Sequence, residues 1–324
     1  MSEFHKFIFE GMPVRGMIVR LDDAWVEVLK RRAVSETGPY PPEVQQLLGQ
    51  MTAASVLMQG NIQFNGALIL QIQGDGPVKL AVAEVHSDFR LRATVTLRGA
   101  VPEGAGLATL VNQHGQGRCA ITLDPLGRHP GQQPYQGVVP LSDAKDRPLT
   151  QLNQVLEQYM RQSEQLETTL VLASNEHLAA GLLIQRLPIE GAGNLEGLPP
   201  SKRAEIEQLE EDYTRIATLA ASLKTEELLT LDVDTILRRL FWEEKLQRFE
   251  PEKVPRFHCT CSRERVEQMI QSLGEDEAQD IVAEQGAITV DCDFCGARYV
   301  FDSVQSAKIF REPGDFPPTS PSVQ

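Results

Sequence analysis

The sequence predicts an α+β fold: an antiparallel-sheet core domain with helices, a helical linker, and a small C-terminal four-cysteine module. Three observations predict it. Short strand-like runs separated by turn residues fill residues 1–190 without regular β-α-β alternation, which favours an antiparallel sheet over a doubly wound one. A breaker-rich stretch, Gly191–Pro200, then gives way to amphipathic helical periodicity through residue 250. Finally, four of the five cysteines fall in residues 251–312 as two tight pairs. The tail, residues 313–324, is rich in Pro and Ser and is expected to be disordered.

The core elements follow in order. His5–Glu10 and Pro13–Leu21 read as opening strands, and Asp22-Asp23 caps a helix carrying Trp25, Val28 and Leu29. After Pro41-Pro42, helical spacing aligns Val44, Leu47, Leu48, Met51, Ala54 and Met58. Ile62–Gln73 and Val78–Val85 flank Gly74-Asp75-Gly76-Pro77, a strong turn signal. Arg90–Arg98 alternates apolar Leu91, Ala93, Val95 and Leu97 with polar residues, the period of a half-buried strand. Further strands are expected at Arg118–Leu123 and Gly137–Leu141, then a helix from Asp146 to Gln165. Leu170–Ala173 and Ala180–Leu187 close the domain.

In the linker, Ile206, Leu209, Tyr213, Ile216, Ala220 and Leu223 step by three or four residues, with acidic residues between them. Thr225 is expected to cap a second segment bearing Leu228, Leu229 and Leu231. A third helix follows Asp234 with Ile236, Leu237, Leu240 and Phe241. Ordinary packing against the core explains such faces on its own; their position directly before the cysteine pairs makes them candidates for more.

Charge and composition exclude several function classes. A formal net charge of −14 opposes nucleic-acid binding, which rests on clustered Lys and Arg. No stretch approaches the ~20 apolar residues of a membrane span, and the N-terminus lacks the uninterrupted apolar run of a signal peptide. The expectation is a cytoplasmic protein with neither nucleic-acid nor membrane partners. Walker-type loops, dinucleotide fingerprints and Gly-x-Ser-x-Gly elbows are missing, so no enzyme is expected.

Cys259-x-Cys261 and Cys292-x-x-Cys295 are separated by thirty residues. Four thiolates complete a tetrahedral zinc site and leave no position open for substrate. His258 adjoins Cys259 and is a weaker alternative ligand, because four thiols already fill the site. Ser262 is expected to cap a helix with Val266, Met269, Ile270 and Leu273. A second helix, about Glu275 to Glu284, ends at Gly286, and Tyr299, Val300 and Phe301 form a strand. Such a site can simply staple a small domain, giving a zinc-ribbon interaction protein with a permanent metal. Three points favour a switch. Metal-bound sulfurs are thiolate-like and open to oxidants. Each cysteine has a partner across one or two intervening residues. A module this small depends on its metal, since structural zinc contributes about 10–16 kcal/mol of apparent binding free energy. Cys119, within a strand-like run, reads as a buried core residue, and His5, His86, His114, His129 and His177 are scattered singly.

Cys259-Thr-Cys-Ser-Arg-Glu-Arg265 followed by Cys292-Asp-Phe-Cys-Gly296 resembles the zinc module of the redox-regulated heat-shock protein 33 family. Lys224-Thr-Glu-Glu-Leu-Leu-Thr-Leu231 resembles that family's linker, and Gln133-Pro-Tyr-Gln-Gly-Val-Val-Pro-Leu141 a segment of its core. The resemblance implies an ATP-independent chaperone, inactive while reduced and holding one zinc ion. It implies that oxidation forms Cys259–Cys261 and Cys292–Cys295 disulfides, expels zinc and unfolds the module and linker. Apolar residues Ile206, Leu209, Tyr213, Ile216 and Leu223 would then bind unfolding proteins, with the active form a homodimer. One departure stands out: Val266 occupies a position where some relatives of that family carry a further cysteine.

Overall fold

The computed structural model describes residues 1–35, 37–127, 133–188, 199–250 and 253–310. Gly191 to Leu198 of the breaker stretch, His129, Pro251 and the 313–324 tail lie outside the described residues. The chain divides into two compact units, Met1–His258 and Cys259 onward. Residues 200–250, the linker in sequence terms, pack within the first unit.

Two sheets, not one, build the first unit. β1 (Glu3–Phe9), β2 (Val14–Leu21), β8 (Thr168–Ser174), β9 (Ala179–Arg186) and β10 (Leu246–Phe249) form one, in the order β10-β1-β2-β9-β8. The other contains β3 (Gly66–Gln73), β4 (Val78–His86), β5 (Arg90–Leu97), β6 (Arg118–Pro125), β7 (Tyr135–Pro140) and β11 (Arg256–Phe257), in the order β11-β5-β4-β3-β6-β7. Pairing is antiparallel throughout except between β11 and β5, which run parallel.

The helix α2 (Pro42–Asn61) contacts strands of both sheets. Leu47, Leu48, Met51, Val56 and Leu57 are buried, and so are Thr52 and Ser55, whose hydroxyls donate to carbonyls one turn back, 2.7 Å away. From Met51 to Gly60 every side of the helix is buried, so the stripe read from the sequence is only part of its buried surface. Close approach needs small residues: a Cβ on Gly49 would lie 1.9 Å from Ser174 Oγ.

The first sheet is apolar on both faces. Met17, Val19, Leu170 and Leu183 face the α2 core, whereas Phe7, Phe9, Ile18, Leu182 and Ile184 face outward. That outer face is covered by α5 (Pro200–Ala221), α6 (Thr225–Thr230) and α7 (Val233–Phe241) through Tyr213, Ile216, Leu228, Ile236, Leu237 and Phe241.

Several sequence expectations shift. The helix α4 spans Leu152–Ser163, not Asp146–Gln165. Asp143 Oδ1 accepts the N–H groups of Lys145 (2.8 Å) and Arg147 (3.0 Å), forming a turn, and Gln154 accepts from Gln151 N–H at 3.2 Å to start the helix later. Lys224, not Thr225, caps α6, its N–H donating to Glu227 Oε2 at 3.1 Å. The third linker helix, α7, starts at Val233, before Asp234 rather than after it, and Asp232 caps it by accepting from Thr235 N–H at 2.9 Å. The short helix α3 (Leu107–Val111) and the strands β10 and β11 are additional; both strands are too short or too polar for a periodic signal. The helix α1 (Asp23–Ala33) is capped by Asp22 as expected.

The second unit comprises α8 (Arg263–Leu273), α9 (Glu275–Gln285), β12 (Ala287–Asp291), β13 (Arg298–Asp302) and α10 (Ser303–Ile309). Its core is small: Val266, Ile270, Ala278, Ile288, Phe301 and Ile309. The unpredicted α10 starts where Asp302 accepts from Gln305 N–H at 2.8 Å. Cys119 is buried in β6, where desolvation pushes its thiol up to about 12.

Phe241 meets Phe9 edge-on at a centroid distance of 5.1 Å, anchoring α7 on β1. Phe241→Ala is expected to cost about 3–5 kcal/mol, by analogy with other buried aromatic truncations. Urea unfolding followed by circular dichroism checks this; an unchanged midpoint would show that α7 is not held by this contact.

Candidate metal centre

Two short stretches of backbone bring the cysteines together. Cys259 lies two residues beyond β11, and Cys261 directly precedes Ser262. Ser262 caps α8 by accepting from Arg265 N–H at 3.3 Å, as the sequence predicts. Cys292 follows β12, and Cys295 sits in the turn entering β13. That turn is closed by Gly296 N–H donating to Cys292 O at 2.8 Å and Cys292 N–H to Ala297 O at 2.9 Å. Gly296 has φ +69°, a conformation that costs glycine little and other residues more.

All four Sγ atoms lie within 4.8 Å of one another. Two short approaches run between the motifs: Cys261 to Cys295 at 3.3 Å and Cys259 to Cys292 at 3.6 Å. A tetrahedron of sulfurs at ~2.3 Å from a central zinc places them about 3.8 Å apart, so the observed cluster matches in size. Among the described residues no other His, Cys, Asp and Glu group converges this closely. His258 is exposed, its backbone N–H donating to Leu91 O at 2.9 Å, and it is not part of the cluster.

The electrostatics call for a cation. A hydrogen bond from Cys292 holds the Cys259 thiol down to about 4, and the same interaction, with burial, drives Cys292 upward. Burial pushes Cys295 up to about 11. Sulfurs this close cannot all become thiolates by themselves, because like charges at such range oppose ionisation. A thiophilic dication removes that obstacle by coordinating all four.

Spacing did not single out Tyr299 as part of this site. Its hydroxyl donates to Cys261 Sγ at 3.2 Å from β13. The sequence signal, an aromatic four residues after Cys295, reads equally well as a strand residue. The linker candidates are placed elsewhere. Ile206, Tyr213, Ile216 and Leu223 are buried and Leu209 is half-buried; Tyr213, Ile216 and Leu223 join the cluster on the first sheet's outer face.

The fold and this centre define the class: a two-unit α+β protein whose C-terminal unit carries a four-cysteine, metal-competent site. The sequence model of the Hsp33 protein family matches residues 2–302. The chain belongs to the Hsp33 family. It is 44% identical over 309 residues to the 33 kDa chaperonin of Chromobacterium violaceum, covering 95% of this chain and 94% of that one. It is 39% identical to the 33 kDa chaperonin of Nitrosococcus oceani, covering 98% of each chain. The crystal structure of the Thermotoga maritima 33 kDa chaperonin, a heat shock protein 33 homolog, superposes with a TM-score of 0.68 at 21% identity, covering 94% of this chain and 97% of that one. This last likeness concerns the fold. No helix among the described residues is long and apolar enough to cross a membrane.

Metal binding must displace the protons on these thiols, so apparent affinity is expected to rise with pH. Competition titrations with a chromogenic chelator at pH 6, 7 and 8 measure this for the reduced chain. Cys295→Ser is expected to weaken binding at every pH; affinity equal to the unsubstituted chain's would remove Cys295 from the site.

Proposed function

We propose that this protein is a redox-regulated, ATP-independent holdase of the cytoplasm. The observation that carries the reading is the convergence of four sulfurs in a unit whose core, among the described residues, is a cluster of six buried apolar side chains. In the reduced state Cys259, Cys261, Cys292 and Cys295 hold one Zn²⁺, which supplies the cross-link that so small a core needs. That state is inactive.

Oxidation by a peroxide removes two electrons per disulfide. One thiolate attacks the O–O bond and becomes a sulfenic acid, releasing hydroxide; a second thiolate displaces another hydroxide and closes the S–S bond. The partners are Cys259–Cys261 and Cys292–Cys295. Pairing across the motifs would keep the unit stapled much as the metal does. Pairing within each motif consumes all four ligands and leaves no metal or covalent bond joining the two motifs, so zinc departs and the unit opens.

The strands β10 and β11 tie residues 246–257 to the sheets directly before Cys259 in the chain. Unfolding beyond Cys259 loosens these short strands and then the helices α5–α7. The outer face of the first sheet, with Phe7, Phe9, Ile18, Leu182 and Ile184, becomes available together with Ile206, Leu209, Tyr213, Ile216 and Leu223. These surfaces hold unfolding proteins, and the active form is a homodimer. No nucleotide, nucleic acid or membrane takes part, and no reaction is catalysed on the client.

Two measurements test this. Light scattering from a heat-unfolding test protein is expected to fall only with peroxide-treated chain, and dithiothreitol plus zinc is expected to restore inactivity; non-reducing peptide mapping is expected to find the within-motif pairs. Equal inertness of both forms would leave the metal merely structural. Ile216→Asp, which puts a charge at a fully buried position against the sheet, is expected to give a reduced, zinc-bound chain that already suppresses aggregation. A folded Ile216→Asp chain as inert as the reduced parent would mean the covered sheet face is not the binding surface.

A further inference from the structure

Hydrogen-bond donors reach the sulfurs of the centre both from the backbone of the motifs and from a side chain outside them. In Cys292-x-x-Cys295 the turn provides them: the backbone N–H groups of Cys295 and Phe294 donate to Cys292, and that of Ala297 to Cys295. Cys259-x-Cys261 is one residue shorter, and its turn brings Cys261 N–H to Cys259. Beyond Cys261 the chain enters α8 at once, and Ser262 takes up the N–H groups of Arg265 through its side chain and Val266 through its carbonyl. Cys261 Sγ, which lies 3.3 Å from Cys295 Sγ, accepts from a side chain outside both motifs, the Tyr299 hydroxyl at 3.2 Å.

Tyr299 is held firmly in place. It pairs with Val290 in the β12–β13 hairpin, two residues from the fully buried Phe301. The Arg263 guanidinium lies 4.1 Å from the Phe301 ring centroid and donates to Gln305 at 3.0 Å, joining the start of α8 to the hairpin and α10. Cys261 and Tyr299 are thereby fixed from the two elements that carry them.

We propose that Tyr299 is a positioning residue of the redox centre, its hydroxyl occupying a sulfur lone pair of Cys261 and slowing that sulfur's attack on oxidants. This rests on the zinc and disulfide reading above and deepens it. A lone pair engaged by O–H is stabilised and less available as a nucleophile, in the same sense that thiolate nucleophilicity falls with basicity. The step affected is attack of Cys261 on a peroxide: an S–O bond forms, the O–O bond breaks and hydroxide leaves. Cys259 then displaces hydroxide from the sulfenic acid to form the disulfide. Tyr299 enters neither bond; it sets how readily the first one forms.

The test uses the full-length reduced chain loaded with zinc, compared with Tyr299→Phe. Pulsed alkylation with isotope-coded N-ethylmaleimide, read by mass spectrometry, gives a rate at each cysteine. Cys261 is expected to react about fivefold faster in the variant, equivalent to ~1 kcal/mol, while the other three change less than twofold. With cobalt in place of zinc, the sulfur-to-metal charge-transfer band is expected to move to lower energy. Placing 4-aminophenylalanine at position 299, which restores a donor, is expected to reverse both effects. An unchanged Cys261 rate, or equal acceleration at all four cysteines, would overturn the assignment, the second by showing general loosening. Failure of the unsubstituted chain to take up zinc would bring down the parent reading and this one with it, and is seen without any variant.

Discussion

The structure depends on one constraint: the β10-β1-β2-β9-β8 sheet is apolar on both faces, so both must be covered. Burial of apolar surface contributes roughly 25 cal/mol per Å², and aromatic side chains such as Phe7 and Phe9 are among the largest contributors. One cover is α2, which packs against strands of both sheets. The other, α5–α7, comes from a segment close in sequence to the cysteines. Its helices are acidic outside and apolar inside, and ion pairs such as Arg239 with Glu227 (2.7 Å) and Arg186 with Glu210 (3.2 Å) add little at their exposure. The cover is held by hydrophobic contact and by the short strands that follow it.

The second unit meets the opposite problem. Its described core is small, and in the proposed reading its integrity falls on the cross-link between two cysteine motifs thirty residues apart. A metal is suited to that task because the bond is strong yet its ligands stay chemically reactive. A wholly hydrophobic core of the same size would carry no chemical handle. Together, a conditional cover and a chemically labile staple are the physical ingredients of the proposed switch.

The sites of chemistry were legible because they are local in the chain. Two cysteine pairs, their flanking Ser262 and Gly296, and the caps of α1 and α8 each speak through neighbours a few residues away. Helical periodicity likewise exposed the apolar face of α5. Elements whose identity depends on distant partners were not legible: β10 and β11 acquire meaning only from β1 and β5, and α4 starts late because Asp143 and Gln154 capture nearby N–H groups.

By itself, the sequence determined the fold class, the order of most elements and the set of cysteines able to hold a metal, since these follow from short-range spacing and periodicity. Only the tertiary structure decided that the core holds two sheets around one helix. It also decided that the linker helices lie on an apolar sheet face and that Tyr299 reaches Cys261. The reason is physical. Spacing along a chain fixes which side chains share a face, but a face acquires its partner only when elements far apart in sequence exclude water together.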